Sequence, residues 1–260
     1  MSETIVQSVS DARIEIDLRN GARIASFAVG GHELLVTAAA DPLRWGLYPM
    51  APFAGRVRAG RFERDGQAYH LPGRAGGHAI HGTVLDRRWL QEDDSTFVCD
   101  LGENWPFAGF ARQSIRLKED GLLMRLEVHT TEKSMPASCG WHPWFLREID
   151  GSSALLDFHP GYMYLREGEI STRTRVEPTP GPWDDCFGDV RAAPAIRWPG
   201  ILTISIESTC PYWVVYTEPE HALCVEPQTA PPDTLNNDPS SVTPDRPLIA
   251  DMALRWNLDP

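Results

Sequence analysis

Apolar and polar residues alternate with a period of two along much of the chain. Ile14, Ile16 and Leu18 alternate with Glu15 and Asp17. Met124, Leu126 and Val128 alternate with Arg125 and Glu127, and Leu202, Ile204 and Ile206 with Thr203 and Ser205. Successive side chains of a strand point to opposite faces, so each run predicts a strand with one buried face. Val98–Leu101, Ser114–Leu117 and Trp213–Tyr216 are further strand candidates. The turn dipeptides Asn20-Gly21, Gly30-Gly31, Asp65-Gly66 and Asp120-Gly121 fall between such runs. Asp120-Gly121 predicts a hairpin joining Ser114–Leu117 to Leu122–Val128. Asp65-Gly66 predicts another within Arg61–Leu71, with Phe62 set toward Tyr69. No long amphipathic helix can be traced. Many short strands with frequent turns predict an all-β sandwich or barrel. No composition shift marks a linker, so residues 1–260 read as a single β-domain. Glu177–Pro182 reads as a surface loop. Pro231–Pro247, polar and Pro-rich, reads as a long loop without strand pattern, a kind that tends to be functional in a compact domain.

Composition narrows the partners. The 260 residues carry 24 basic and 36 acidic side chains, a net charge of −12. That balance argues against nucleic acid and anionic membrane surfaces, while leaving room for a small local basic site. No run of about 18 apolar residues predicts a membrane span. The N-terminus lacks a basic segment followed by an apolar one, so no signal peptide is read there and a cytoplasmic location is expected. The five cysteines are odd in number, widely spaced and without a CxxC pair. They read as reduced thiols, not as zinc ligands. Nine tryptophans offer broad faces for a core, an interface or a sugar-binding cleft.

Four islands depart from ordinary strand sequence. Pro49–Phe62 contains Arg56, Arg58 and Arg61 among prolines and glycines. A guanidinium offers a planar fork of donors for a carboxylate, a phosphate or vicinal hydroxyls, although solvated arginines are the plainer reading. In Gly76–Gly82, His81 sits between Ile80 and Gly82. A neutral imidazole with one donor and one acceptor suits a hydroxyl partner, and a structural histidine is the alternative. His78 and His81 lie close in sequence, but no third ligand stands nearby, and no metal is expected. In Cys139–Phe145, Pro143 biases His142 toward extended geometry. Trp141, Trp144 and Phe145 are expected to wall in that imidazole and shift its pKa, which suits a general acid; an aromatic core cluster is the alternative. In Cys224–Asp233, Glu226 follows an apolar stretch and precedes a proline, with Gln228 close by. A carboxylate buried at a strand end would rise in pKa and serve as a base; an exposed strand terminus is the alternative. Asp184 and Asp185, flanked by Trp183 and Phe187, form a lesser acidic feature.

Taken in order, these segments resemble the aldose 1-epimerase (galactose mutarotase) family. Gly55-Arg56 stands where that family has Asn-Arg. Ile80-His81-Gly82 resembles its Leu-His-Gly, and His142-Pro143-Trp144-Phe145 its His-Pro-Tyr-Phe. Trp183-Asp184-Asp185-Cys186-Phe187 resembles its Leu-Asp-His-Cys-Phe. Glu226-Pro227-Gln228, followed by Pro232-Asp233 and Asn236, resembles its Glu-x-Gln, Pro-Asp-Ala and Asn. The resemblance implies a large antiparallel β-sandwich, the supersandwich, with a sugar cleft on one sheet. It implies an aldose 1-epimerase (mutarotase) acting on a monosaccharide without cofactor or metal, as a monomer or homodimer. Glu226 then matches the general base and His142 the general acid. Arg56, His81 and Asp184 match residues that bind sugar hydroxyls. Gln228 would add a contact, and the face of Trp144 would support the sugar ring, with Trp141 and Trp183 as further cleft wall. The departures at Gly55, Trp144 and Asp185 spare the proton-transfer groups and alter the sugar contacts. A non-catalytic carbohydrate-binding module on the same fold is one alternative. A hexose-6-phosphate epimerase is another, with Arg58, Arg61, Arg87 and Arg88 as candidate phosphate ligands. A glycoside hydrolase would need Asp184 and Glu226 about 5–5.5 or 6.5–9.5 Å apart.

Overall fold

The alternating runs form strands as their pattern predicts. In the computed structural model, which describes residues 3–237 and 239–259, Ala12–Asp17 turns Ala12, Ile14 and Ile16 inward and Arg13 outward. Leu202–Ser208 buries Leu202, Ile204 and Ile206 in the same way. The Asp120-Gly121 hairpin is present: Gly109–Lys118 pairs with Gly121–Thr130 from Gly109↔Thr130 to Lys118↔Gly121. Arg61–Arg64 pairs with Gln67–His70, with Phe62 opposite Tyr69 and their rings stacked at 5.1 Å. Among the described residues the only helical pieces are two 3-10 turns, and no helix is long and apolar enough to cross a membrane.

Two large antiparallel sheets result. An 8-stranded sheet centres on Gly109–Lys118, Gly121–Thr130, Leu248–Leu258 and Leu202–Ser208. A 12-stranded sheet runs, in spatial order, through Thr4–Val9, Ala12–Asp17, Arg23–Val29, Leu47–Met50, Gly140–Pro143, Ala222–Gln228, Tyr212–Tyr216, Asp184–Gly188, Tyr162–Glu167 and Ile170–Val176, with two short strands beside this path. One apolar cluster joins them: Ile14, Phe27, Leu223 and Val225 from the larger sheet meet Ala111, Ile115, Leu126 and Ile204 from the smaller. Gln113 is the polar tie across this core. Fully buried, it donates to the carbonyl of Ala22, in the turn before Arg23–Val29, and accepts from Trp141 Nε1 on the other sheet. All five cysteines are buried and unpaired.

The long loop expected over Pro231–Pro247 is instead partly ordered. Thr234–Asn236 forms a 3-10 turn, and Ser240–Val242 pairs with Met135–Ala137. Asp238 falls outside the described residues, as do Met1, Ser2 and Pro260. A three-residue strand is too short to show alternation, and its pairing is dictated by the partner segment.

Candidate active site

Ala222–Gln228 lies inside the larger sheet and is buried at every position. Leu223 and Val225 face the sandwich core, which leaves Cys224, Glu226 and Gln228 on the opposite face. Glu226 is therefore held within a strand and is 1% exposed, not set at a strand terminus. Gly140 pairs with Gln228, so the antiparallel register carries His142 to Glu226 two residues along. His142 Nε2 stands 3.2 Å from Glu226 Oε1.

The imidazole of His142 is fixed on three sides. Tyr48, its cross-strand partner, stacks at 5.0 Å, Trp144 stacks at 5.3 Å, and His81 meets it edge-on at 5.0 Å. Tyr48 is anchored in turn by donating its hydroxyl to the Leu43 carbonyl. The expected aromatic wall is thus only partly as predicted. Trp141 points into the sandwich and bonds Gln113, and Phe145 packs in the core against Trp198. Trp183 packs on Phe158 and Phe187 and donates to the Thr179 carbonyl. None of these three lines the cavity. Strand alternation separates Trp141 from His142.

His81 is placed by a strained turn. Its φ of 57° lies in the left-handed region, and its amide donates to the Gly55 carbonyl. Non-glycine residues seldom adopt this conformation, and where it occurs it often marks a site. Gly55 has its own reason to be glycine. At φ +70°, a Cβ there would stand 2.8 Å from the ring of Pro232. The Pro232–Asp233 segment is latched to this island: Asp233 donates its amide to the Arg56 carbonyl and accepts from the Arg58 amide.

Arg56 faces Asp184 at 3.7 Å and Glu169 at 3.9 Å. Asp184 is shared with Arg166, whose Nη1 lies 3.0 Å away. Gln228 donates to Glu226 Oε2 at 3.2 Å. Thus Arg56, His81, His142, Trp144, Asp184, Glu226 and Gln228 all line one cavity of about 390 Å³, with Arg44, Arg74, Glu169 and Tyr216 among the rest of its wall. Five buried polar atoms of this wall, Arg56 Nε, His81 Nδ1, His142 Nδ1, Trp144 Nε1 and Gln228 Oε1, have no hydrogen-bond partner among the described residues. Buried polar groups are normally paired, so this convergence marks a surface built for a polar ligand. Arg58, Arg61, Arg87 and Arg88 are not among its lining residues. Arg58 faces Asp233 and Arg88 faces Glu3.

Burial dominates the electrostatics. It pushes Glu226 well above the usual carboxylate range, aided by the charge of Asp184 and opposed by Gln228 and Arg56. It pulls His142 down to about 3, assisted by Arg23 and Arg56. His81 is likewise held well below an ordinary imidazole by burial, His142 and the arginines Arg56 and Arg74. Both rings are neutral at neutral pH. Although no metal is expected from the sequence, ligand atoms of His81, His142 and Glu226 lie within 4.8 Å of one another. Two imidazoles and a carboxylate are a donor set that suits a divalent transition ion. Proton transfer between these groups requires none.

Local sequence gives no hint of Tyr48, Arg166 or Glu169. Tyr48 and Arg166 are delivered by neighbouring strands and Glu169 by the turn between Tyr162–Glu167 and Ile170–Val176, and only the folded sheet shows their place.

Residues 18–249 match the family model described as aldose 1-epimerase. The uncharacterized protein YphB of Escherichia coli (strain K12) is 24% identical over 241 residues, which span 80% of this chain and 82% of that protein. Among solved structures, a galactose mutarotase-like protein from Clostridium acetobutylicum has a TM-score of 0.85 at 16% identity, covering 98% of this chain and 95% of its own. Galactose 1-epimerase from Lactobacillus acidophilus NCFM has a TM-score of 0.79 at 14% identity, covering 98% of this chain and 93% of its own. At such identities these structures establish the galactose mutarotase-like fold.

Proposed function

Because the chain belongs to the aldose 1-epimerase family, we propose that it interconverts the α and β anomers of an unphosphorylated aldose, with Glu226 and His142 moving the protons. The observation that carries this reading is their 3.2 Å contact in a cavity walled by unpaired polar atoms. Mutarotation needs one proton taken from O1 and one given to O5. Glu226, as carboxylate, takes the O1 proton. His142 delivers a proton to O5 as the C1–O5 bond breaks, leaving the open-chain aldehyde. Rotation about C1–C2 presents the other carbonyl face. The reverse transfers then close the ring and restore both groups.

A buried acid–base pair can hold one proton in two isoelectronic ways, as carboxylic acid with imidazole or as carboxylate with imidazolium. Shifting the proton across the contact leaves the net charge unchanged. The raised Glu226 and lowered His142 widen the pH range over which the pair holds one proton. General acid and base steps are each worth roughly 10²–10⁴-fold. Arg56, Asp184, His81 and Gln228 supply donors and acceptors for the remaining hydroxyls, and fixed orientation adds to the rate. Trp144 is stacked between His142 at 5.3 Å and His221 at 6.1 Å, so it holds the imidazole in place and its face is not open to the sugar ring.

Charge supports a neutral sugar. Five carboxylates, Asp41, Glu169, Asp184, Asp185 and Glu226, line the cavity against Arg44, Arg56 and Arg74. Those arginines already face acids: Asp41, then Glu169 with Asp184, then Asp86. A phosphate dianion would have to displace them. The test is anomer exchange of freshly dissolved α-glucose, α-galactose and L-arabinose, followed by optical rotation with the spontaneous rate subtracted. Glu226→Gln and His142→Asn should each remove most of the enhancement. Saturable sugar binding without anomer exchange across the panel would instead identify a carbohydrate-binding module.

A further inference from the structure

A second, smaller cavity of about 280 Å³ lies beside the sugar cleft on the same sheet face. Register fixes its position. Gln228 opposes Tyr212, Tyr212 opposes Gly188, and Gly188 opposes Tyr162, forming one row across four strands. The adjacent row holds Glu226, Val214 and Cys186. Directly opposed residues share a face, so Tyr162 and Tyr212 stand on the face that carries the proposed base. Arg175 opposes Tyr164 on the next strand out, and Arg173, in the stretch where the pairing register shifts, lines the cavity with it. Pro232 lines both cavities.

The two cavities differ in charge. No carboxylate lines the smaller one among the described residues, and Arg173 and Arg175 both do. Neither has a carboxylate partner among the described residues, whereas the cleft arginines all face acids. The Arg175 guanidinium lies 4.3 Å from the Tyr162 ring centre and 6.0 Å from that of Tyr164. Tyr164 and Tyr212 line the cavity, and burial, with Tyr164 close by, pushes Tyr212 upward, so its phenol remains a proton donor. Thr172, Thr234 and Ser240 add hydroxyls. On a chain with a net charge of −12, this is a concentration of permanent cations and neutral donors without a countercharge among the described residues. Guanidinium on an aromatic face keeps its in-plane donors free, and those donors match the paired oxygens of phosphate or carboxylate.

We propose that this Arg173–Arg175–tyrosine cavity is an anion site, taking a phosphate- or carboxylate-bearing small molecule next to the sugar cleft. It stands on geometry separate from the proton-transfer pair. The test is calorimetric titration of the full chain, at fixed low ionic strength, with inorganic phosphate and with glucose 6-phosphate. Saturable phosphate binding is expected in the unsubstituted protein and in Glu226→Gln. It should weaken at least about tenfold when Arg173→Gln and Arg175→Gln are combined. The lysine pair Arg173→Lys and Arg175→Lys, which keeps the charges, should retain part of it. Thermal melting checks that the variants fold. If glucose 6-phosphate displaces phosphate and free glucose does not, the anion is carried by a sugar-derived ligand. Displacement by neither indicates a free effector anion. No saturable binding, binding unchanged in the double glutamine variant, or binding lost in Glu226→Gln would each overturn the proposal. Mutarotation of unphosphorylated sugars, measured on the same double variant, is expected to continue. Its absence from the unsubstituted protein would count against the mutarotase reading alone.

Discussion

In the smaller sheet, Gly121–Thr130 turns Leu122, Met124, Leu126 and Val128 into the core and Leu123, Arg125, Glu127 and His129 toward water; in the larger sheet, Ala222–Gln228 is buried along its whole length. The outward face of the first is a field of solvated ion pairs, such as Arg125–Asp251 and Arg112–Glu92, each at 2.7 Å. Pairs of this kind are screened and contribute little. The second buried face of the larger sheet is polar. It places Glu226, Gln228 and His142 out of water without full hydrogen bonding. Burying unpaired polar groups costs stability. The same fold therefore separates its tasks: one sheet supplies cohesion, and the other spends part of that cohesion on chemistry.

The largest effects should fall on opposite observables in the two sheets. Glu226→Gln should lower the mutarotation rate by about 10²–10⁴-fold without lowering the melting temperature. The sign of its stability effect follows from linkage. The folded-state pKa of Glu226 is raised, so its contribution is fully present below the unfolded carboxylate value of about 4.3 and is lost as pH rises through the folded value. The variant should therefore gain on the unsubstituted protein as pH increases. Melting curves across pH check this, and a constant gap would contradict the raised pKa. Leu126→Ala in the smaller sheet should do the reverse. It should cost about 2–5 kcal/mol in denaturant unfolding and leave the rate per folded molecule intact.

A smaller effect is expected in the pH profile. Because a second proton reaches His142 only near about 3, kcat/KM should stay level as pH falls through 6.5, the ordinary imidazole value. It should fall on the alkaline side, where the pair loses its one proton. An acid limb at about 6.5 would mean that His142 titrates as a solvated ring. The smallest effect belongs to the exposed ion pairs. Arg125→Ala should change stability by no more than about 1 kcal/mol, diminishing as salt is added, with no change in rate.

Strands with one solvated face were legible in the amino-acid order, because that face leaves alternation to read. Ile14 and Ile16 in the larger sheet, and Met124 to Val128 and Leu202 to Ile206 in the smaller, all sit as their pattern predicts. The strand that carries the proposed base was not legible that way. Ala222–Gln228 is covered on both faces, so period two vanishes, and Pro227 gives Glu226 the look of a strand end. Motif resemblance found Glu226 and His142, but it could not tell which aromatic neighbours stack on the imidazole. Trp141 was drawn to the cleft by proximity in sequence, although alternation sends it to the other face. Tyr48, which does stack on His142, comes from a strand far back in the chain, through the pairing His142↔Tyr48. Such partners are chosen by register, which no local window contains.

The latch between Asp233 and the Arg56–Arg58 backbone has an evolutionary consequence. The loop that follows Ala222–Gln228 holds the backbone that carries the cleft guanidinium, while Glu226 itself is fixed by the sheet. An insertion or deletion in that loop would move Arg56 and the wall shared by the two cavities, and would leave the acid–base pair in register. Under the proposed function, contacts to the sugar and the proton-transfer pair are thus carried by different parts of the chain, so the first can change without disturbing the second.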